Sequence, residues 1–216
     1  MWMSPRRWTG AMAVLLVLAC TVATARAAQP DPKQAQQLVK DVTDQMLQVL
    51  RKQSPQGKVD LNSIRDKVDK IVLPHMDFVT MTKLAVGSPW RNASNEQKRT
   101  LVEQFRELLV RTYTQSLDEY NNQKLDFLPL RPSPYPDRVT VRSEVIQSNG
   151  PKIPVQYSLR YHDGEWKVYD ITVDGVSLVT TYQSSFSNEV QQGGIEAVID
   201  ALKKKNAANE SGSGSS

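Results

Sequence analysis

The spacing of apolar residues changes at Asn121-Asn122 of this 216-residue chain, and that change constrains the fold class. Before Asn121-Asn122, apolar residues recur every three or four positions, which is the period of an amphipathic helix. After it they alternate with polar residues, as in a strand with one buried face. Helices followed by strands predict an α+β fold in which the helices cover one face of an antiparallel sheet.

Two helices are predicted at the start. Asp31-Pro32 combines an N-cap with a proline at the first helical position. The helix that follows has an apolar face made of Leu38, Val42, Met46, Val49 and Leu50. Asp60 is the expected cap of a second helix, which ends before Pro74. Its apolar face is Ile64, Val68, Ile71 and Val72.

Two further helices follow. A short one is expected from Asp77 to Val86, ended by Gly87. Ser94 and Gln97 form a capping box, which predicts the start of the longest helix. Its apolar side is Leu101, Phe105, Leu108, Leu109, Tyr113, Leu117 and Tyr120.

The second half predicts a curved meander of four antiparallel strands. The first is expected at Leu125–Leu130, and Asn149-Gly150 and Asp163-Gly164 mark the later turns. The inward positions of the middle strands are Val139, Val141, Val145, Ile153, Val155, Tyr157, Leu159 and Tyr161. The last strand is expected to end at Val173, before a tight turn, and two helices separated at Gly193-Gly194 follow it.

The first 27 residues have the pattern of a secretory signal peptide. Arg6 and Arg7 form a positive start, Ala11 to Ala25 is apolar or small, and Ala25-Arg26-Ala27 is an A-x-A cleavage site. We expect cleavage after Ala27, a single domain over residues 28–205 and a disordered tail over residues 206–216. Two alternatives stay open: a twin-arginine signal at Arg6-Arg7, and lipidation of Cys20.

Charge and cysteine content narrow the function further. The formal charge of the whole chain is +4, and loss of Arg6, Arg7 and Arg26 leaves 4 − 3 = +1. A nearly neutral protein is not expected to bind nucleic acid. Because Cys20 is the only cysteine, the mature chain would have neither a disulfide nor a catalytic thiol.

Few residues suggest catalysis. His75 and His162 are the only histidines, and they have no metal-ligand spacing, so we expect no metal and no cofactor. Asp170, between Tyr169 and Ile171, is the one carboxylate predicted to be half-buried in a strand. It could accept hydrogen bonds from nearby groups, or it could act as a general base in an apolar pocket.

Two consecutive blocks near the C-terminus resemble the MlaC family, the periplasmic phospholipid-binding proteins of a bacterial lipid-asymmetry transport system, also called toluene-tolerance proteins. They are W-K-V-Y-D-I at Trp166–Ile171 and D-G-V-S-L-V-T-T-Y at Asp174–Tyr182. The resemblance spans residues 31–202 and also includes Leu73–Phe78, Gly87–Ser94, Phe105 and Tyr113.

The resemblance implies a monomeric periplasmic carrier, not an enzyme, with a phospholipid as its ligand. Its partners would be an inner-membrane ABC transporter complex with its lipid-binding component and an outer-membrane lipoprotein complex. The acyl chains would lie in a tunnel between the sheet and the helices. We expect the tunnel lining to be Phe78, Met81, Phe105, Leu109, Tyr113, Val139, Val141, Ile153, Val155, Tyr157, Leu159 and Val168.

Two other functions stay open at this stage. One is an isomerase- or hydrolase-type enzyme that uses Asp170 and a tyrosine in the pocket. The other is an adaptor or chaperone whose core is filled and has no cavity. Sequence does not separate them, because apolar residues that line a cavity look like those that fill a core.

Overall fold

The computed structural model describes residues 30–53, 61–115, 117, 123–147 and 150–213. In chain order the main elements are α1 (Pro32–Gln53), α2 (Leu61–Ile71), α3 (Phe78–Val86), α4 (Asn95–Gln115), β1 (Lys124–Phe127), β2 (Arg138–Ile146), β3 (Ile153–His162), β4 (Glu165–Val173), β5 (Val176–Ser177) and α5 (Leu178–Ser213). Short 3₁₀ helices at Leu73–His75 and Ser88–Asn92 flank α3. This arrangement confirms the predicted α+β class.

Local side-chain caps explain where three of the helices begin. Asp31 Oδ1 accepts a hydrogen bond at 2.9 Å from the backbone N–H of Lys33. Asp77 Oδ1 accepts one at 2.9 Å from the backbone N–H of Thr80. The predicted capping box is present, with Ser94 N to Gln97 Oε1 at 2.8 Å and Gln97 N to Ser94 Oγ at 3.1 Å. The expected cap of α2, Asp60, lies outside the described residues.

The sheet has five strands in the order β1-β2-β3-β4-β5, and every neighbouring pair is antiparallel. The prediction of four strands therefore missed one strand of the sheet. The added strand, β5, pairs Val176 with Val173 across a turn at Asp174 and Gly175, both of which have positive φ. β1 ends at Phe127 rather than at the expected Leu130.

The predicted alternation is confirmed in the middle strands. Val139 lies opposite Leu159, and Val141 lies opposite Tyr157. Val139, Val141 and Leu159 are buried, whereas Thr140 is exposed. The same face of the sheet is covered by helices.

The last helix is kinked at the predicted position. Gly193 and Gly194 leave helical geometry, and Gly194 has φ +68° and ψ −151°, a conformation that glycine adopts readily. The second arm continues to Ser213. Asn206 is buried there, and its Nδ2 donates to the backbone carbonyl of Gln104 at 3.0 Å. The tail boundary expected at residue 206 therefore falls inside a helix, because Asn206 holds this arm against α4.

The buried apolar residues form three clusters. The first joins α3, α4 and α5 and includes Met81, Phe105 and Phe186. The second packs the N-terminal half of α1 on β2, β3 and β4, and the third packs the C-terminal half of α1 against α2. None of the described helices is long and apolar enough to cross a membrane.

Candidate functional site

An apolar cavity of about 290 Å³ lies where the three clusters meet. Its walls are the C-terminal half of α1, α2 with the 3₁₀ turn after it, α3, the last turns of α4, and the β4 end with the α5 start. The lining residues are Met46, Val68, Val72, Leu73, Met76, Phe78, Met81, Leu109, Val110, Tyr113, Thr114, Leu117, Ile171, Val173 and Leu178.

The cavity opens to solvent beside two of these side chains. Tyr113 is 40% exposed and Val173 is 41% exposed, whereas Met81, also in the lining, is fully buried. Val176, the strand partner of Val173, is 60% exposed just outside the lining. The opening is therefore bordered by apolar side chains in contact with water, which is unfavourable unless another apolar surface covers them.

The chemistry of the lining is almost entirely that of hydrocarbon. Among the residues that the structure describes, no lining residue carries a formal charge, and the side-chain hydroxyls are those of Tyr113 and Thr114. Partial burial, together with the neighbouring Tyr182, raises the pKa of Tyr113, so its phenol stays neutral at physiological pH. Such a cavity can hold an alkyl chain.

Other surface clefts are larger, but each of them has charged side chains in its lining. One of about 420 Å³ on the outer face of the sheet contains Arg131, Arg138 and Arg142, and one of about 520 Å³ contains Arg160 and Lys167. The described lining of the 290 Å³ cavity includes no charged side chain, so that cavity is the candidate site for an apolar ligand.

An ion cluster on the helical side holds α2 against α4. Glu107 accepts a hydrogen bond from Arg65 at 2.5 Å and another from Arg111. Partial burial of Glu107 raises the pKa of its carboxyl group, but the two guanidinium groups outweigh burial and the net pKa is lowered. The cluster thus positions Val68, on α2, and Val110, on α4, on facing walls of the cavity.

Four of the twelve residues predicted to line a tunnel do line this cavity: Phe78, Met81, Leu109 and Tyr113. Phe105 does not; it is fully buried in the first cluster, with its ring 4.9 Å from that of Tyr182 and 5.4 Å from that of Phe186.

The remaining predicted residues come from the sheet, and none of them lines the cavity. Val139, Val141, Leu159 and Val168 are buried in the second cluster, against α1, and Tyr157 packs beside them. Val155 is buried and Ile153 is partly buried. The sheet reaches the cavity instead through Ile171 and Val173, the cross-strand partners of Tyr157 and Val155.

The lining residues absent from the prediction come from every wall of the cavity: Met46 on α1, Val68 on α2, Val72, Leu73 and Met76 between α2 and α3, Val110, Thr114 and Leu117 on or just after α4, Ile171 and Val173 on β4, and Leu178 on α5. Met46, Val68 and Val72 had been placed on apolar helix faces, so their burial was expected but not their exposure to a cavity. Ile171 and Val173 lie after a β-bulge on β4, opposite the step from Ser158 to Leu159. The bulge changes which β4 residues face inward, and strict alternation does not predict it.

Asp170 lies outside the cavity lining and has structural partners. Its Oδ2 atom accepts a hydrogen bond from Ser177 Oγ at 2.7 Å, and its Oδ1 atom accepts one from Val179 N at 3.2 Å. These bonds tie β4 to the start of α5, which is the first of the two roles that the sequence allowed.

The histidines lie apart from the cavity lining. His75 ends a 3₁₀ helix, and the largely exposed His162 lies 3.2 Å from Asp163. In the part of the chain that the structure describes, no group of three or more His, Cys, Asp or Glu residues could hold a metal ion.

Comparison with known proteins gives consistent results. The family model described as MlaC protein matches residues 40–204. The toluene tolerance protein ttg2D of Pseudomonas putida is 30% identical over 182 residues, which cover 81% of this chain and 84% of that protein. The intermembrane phospholipid transport system binding protein MlaC of Haemophilus influenzae is 25% identical over 171 residues, covering 77% and 79%.

A solved structure has the same fold. It is the phospholipid-binding protein of Ralstonia solanacearum in complex with a phospholipid, and it superimposes with a TM-score of 0.73 at 31% sequence identity. The match covers 82% of this chain and 98% of that one. The family model, the two relatives and this structure agree with the resemblance carried by the Trp166–Tyr182 segment, and the chain belongs to the MlaC family.

Proposed function

We propose that this chain is a phospholipid carrier that holds acyl chains in the apolar cavity and leaves the headgroup in water. The observation that carries the proposal is the lining itself, which is apolar apart from two hydroxyl groups and open at one end. The phospholipid complex of the Ralstonia solanacearum relative supports the same ligand class.

The energetics explain why such a cavity is needed. A diacyl phospholipid has roughly 30 methylenes, and at about 0.8 kcal/mol each their exposure to water would cost on the order of 24 kcal/mol. A cavity about as apolar as a bilayer removes most of that cost. Exchange with a membrane is then nearly balanced, so the carrier sets no direction by itself.

Lipid entry requires the cavity to widen. A methylene takes roughly 30 Å³, about the volume of a water molecule in the liquid. At that size, 290 Å³ holds about ten methylenes. The wall that can yield most easily is formed by α1 and α2, because in the described part of these helices the cluster between them has four buried residues: Met46, Leu50, Ile64 and Val68.

Family membership and the relatives' names support a transport role. The carrier would act in the periplasm after signal cleavage, taking lipid between an outer-membrane lipoprotein complex and an inner-membrane ABC transporter complex with its lipid-binding component. The transporter would supply the energy. The Haemophilus influenzae relative, named as a component of an intermembrane phospholipid transport system, supports this role.

The structure favours neither alternative function. Asp170 is engaged with Ser177 and Val179 and does not line the cavity, so a role as general base in that pocket has no geometric support. An adaptor with a filled core does not account for an open apolar cavity.

Adjacent residues on β4 provide the test. Ile171 lines the cavity, whereas Thr172 pairs with Gln156, which is exposed on the outer face of the sheet. Ile171→Arg should place an unpaired charge among the acyl chains and abolish lipid binding, because a buried charge without a partner is costly. Thr172→Arg should bind lipid at the wild-type level.

A third variant, with its substitution at the opening of the cavity, serves as the control for effects on folding. Val173→Arg should fold, because Val173 is 41% exposed and its guanidinium group could reach water. Phospholipid would be extracted from each purified variant and quantified against protein, with circular dichroism as the folding check. Wild-type lipid content in folded Ile171→Arg protein would refute the placement of the acyl chains.

A further inference from the structure

Tyr157 packs against the second cluster and is the strand partner of Ile171, which lines the cavity. Along the inward face of α1, Val39 is buried in the second cluster, Thr43 lies one turn later and Met46 lines the cavity. Thr43 lies close enough to Tyr157 to interact with its phenol group. The boundary between packed and open space therefore crosses α1 at the turn that faces Tyr157.

In the sheet, too, packed residues give way to cavity-lining residues near Tyr157. On one side of Tyr157, Leu159 pairs with Val168, and both are buried in the second cluster. On the other side, Val173 lines the cavity. Tyr157 itself pairs with Ile171, which both lines the cavity and packs against the second cluster. Tyr157 does not itself line the cavity; it packs against the second cluster beside Ile171, one strand away from the lining.

The tyrosine is held by contacts from two elements. Burial raises the pKa of its phenol, and hydrogen-bonding interactions with Ser143 on β2 and Thr43 on α1 act against that shift. Ser143 Oγ is enclosed and makes no well-formed hydrogen bond within the described residues, so its contact with the phenol is weak. A neutral phenol held between α1 and β2 would resist rotating aside when an acyl chain presses on its ring.

We propose that Tyr157 is a specificity-determining residue that sets how far an acyl chain can extend into the interior. This rests on the proposed phospholipid-binding function and adds a limit on chain length. An acyl chain would enter past Tyr113 and Val173 and end against Ile171, with the ring of Tyr157 filling the space behind it. The residues beyond Tyr157 are apolar, so removal of the ring would extend the cavity without exposing a charge.

The expected change is large enough to measure. Truncation of the tyrosine to alanine would free on the order of 100 Å³, which is room for three or four methylenes at about 30 Å³ each. The lipids bound by Tyr157→Ala should therefore have longer acyl chains than those bound by the wild-type protein. Tyr157→Phe keeps the ring and should keep the wild-type chain-length distribution.

The experiment offers full-length mature protein an equimolar mixture of saturated phosphatidylcholines of increasing acyl length in vesicles. Bound lipid is then identified by mass spectrometry. Leu159→Ala is the matched control, since Leu159 is fully buried two residues along the same face of β3 but belongs to the packed cluster. It should lose comparable packing without lengthening the bound chains. If Tyr157→Ala does not fold, Tyr157→Leu, which removes less volume, takes its place with a smaller expected shift.

The outcomes separate this proposal from the function on which it rests. Longer bound chains in Tyr157→Ala, with unchanged profiles in Tyr157→Phe and Leu159→Ala, would support a length limit set by the ring. An unchanged profile in folded Tyr157→Ala, with normal lipid content, would overturn the limit but leave the carrier function intact. Absence of lipid from the wild-type protein would overturn both.

Discussion

Replacement of valine by phenylalanine at two positions distinguishes an open cavity from a filled core. The change should stabilise the protein at a residue that lines a cavity and destabilise it at a residue in a packed core. Val110 lines the cavity on α4, and Val141 is fully buried in the second cluster on β2. In Val110→Phe the added ring carbons would enter empty apolar space. In Val141→Phe they would enter a packed region, where extra volume forces neighbouring side chains out of place.

The magnitudes follow from the carbon count. Phenylalanine has four more side-chain carbons than valine, so full burial is worth up to about 3 kcal/mol at about 0.8 kcal/mol each. Loss of side-chain freedom and imperfect fit reduce this, and we expect Val110→Phe to raise the free energy of unfolding by about 1 kcal/mol. Val141→Phe should lower it by about 1–3 kcal/mol.

Urea unfolding of delipidated protein measures both values, and lipid extraction measures occupancy. Delipidated protein is required because bound lipid itself stabilises the native state. Val110→Phe should lose lipid binding while gaining stability, and Val141→Phe should keep lipid binding while losing stability. If Val110→Phe were as destabilising as Val141→Phe and retained its lipid, the cavity would not be the acyl-chain site.

Two further predictions concern the contacts around the site. Glu107→Gln should lower the free energy of unfolding by about 1 kcal/mol at neutral pH, because it weakens the bonds that tie α2 to α4. The pKa of Glu107 is lowered in the folded protein from its ordinary value of 4.5. The difference in free energy of unfolding between the wild-type protein and Glu107→Gln should therefore be complete above pH 4.5 and shrink as the pH falls below it. If urea unfolding showed the same difference at every pH across that range, the result would argue against the ion cluster. Asp170→Asn should cost about 1 kcal/mol by weakening the contacts with Ser177 and Val179, yet leave lipid content unchanged. Loss of lipid from folded Asp170→Asn protein would show that the carboxylate takes part in binding.

The features that could be predicted from sequence are those with local causes. Asp31, Ser94 and Gln97 act through hydrogen bonds within one helical turn, so their caps could be identified before the structure was known. The inward positions of β2 and β3 follow from the two-residue period of a strand. The two-residue strand β5 was missed because it depends on a turn that folds Val176 back beside Val173, and so short a segment has no period of its own.

The position of the cavity could not be predicted in the same way. Val68 and Val141 are both valines on inward faces, yet the first borders open space and the second is in a packed cluster. The difference arises because α1 lies close to the sheet near Val39 but packs against α2 near Met46. Such packing depends on several elements at once, and a residue pattern along one of them does not encode it.

The central claim, that this protein carries a phospholipid, is tested most directly by native mass spectrometry of mature protein prepared from the periplasm without detergent. The account predicts one dominant species whose excess mass is that of one or more diacyl phospholipids, with lipids of that mass in an organic extract of the same sample. A spectrum that showed only unliganded protein, together with an extract free of phospholipid, would contradict it.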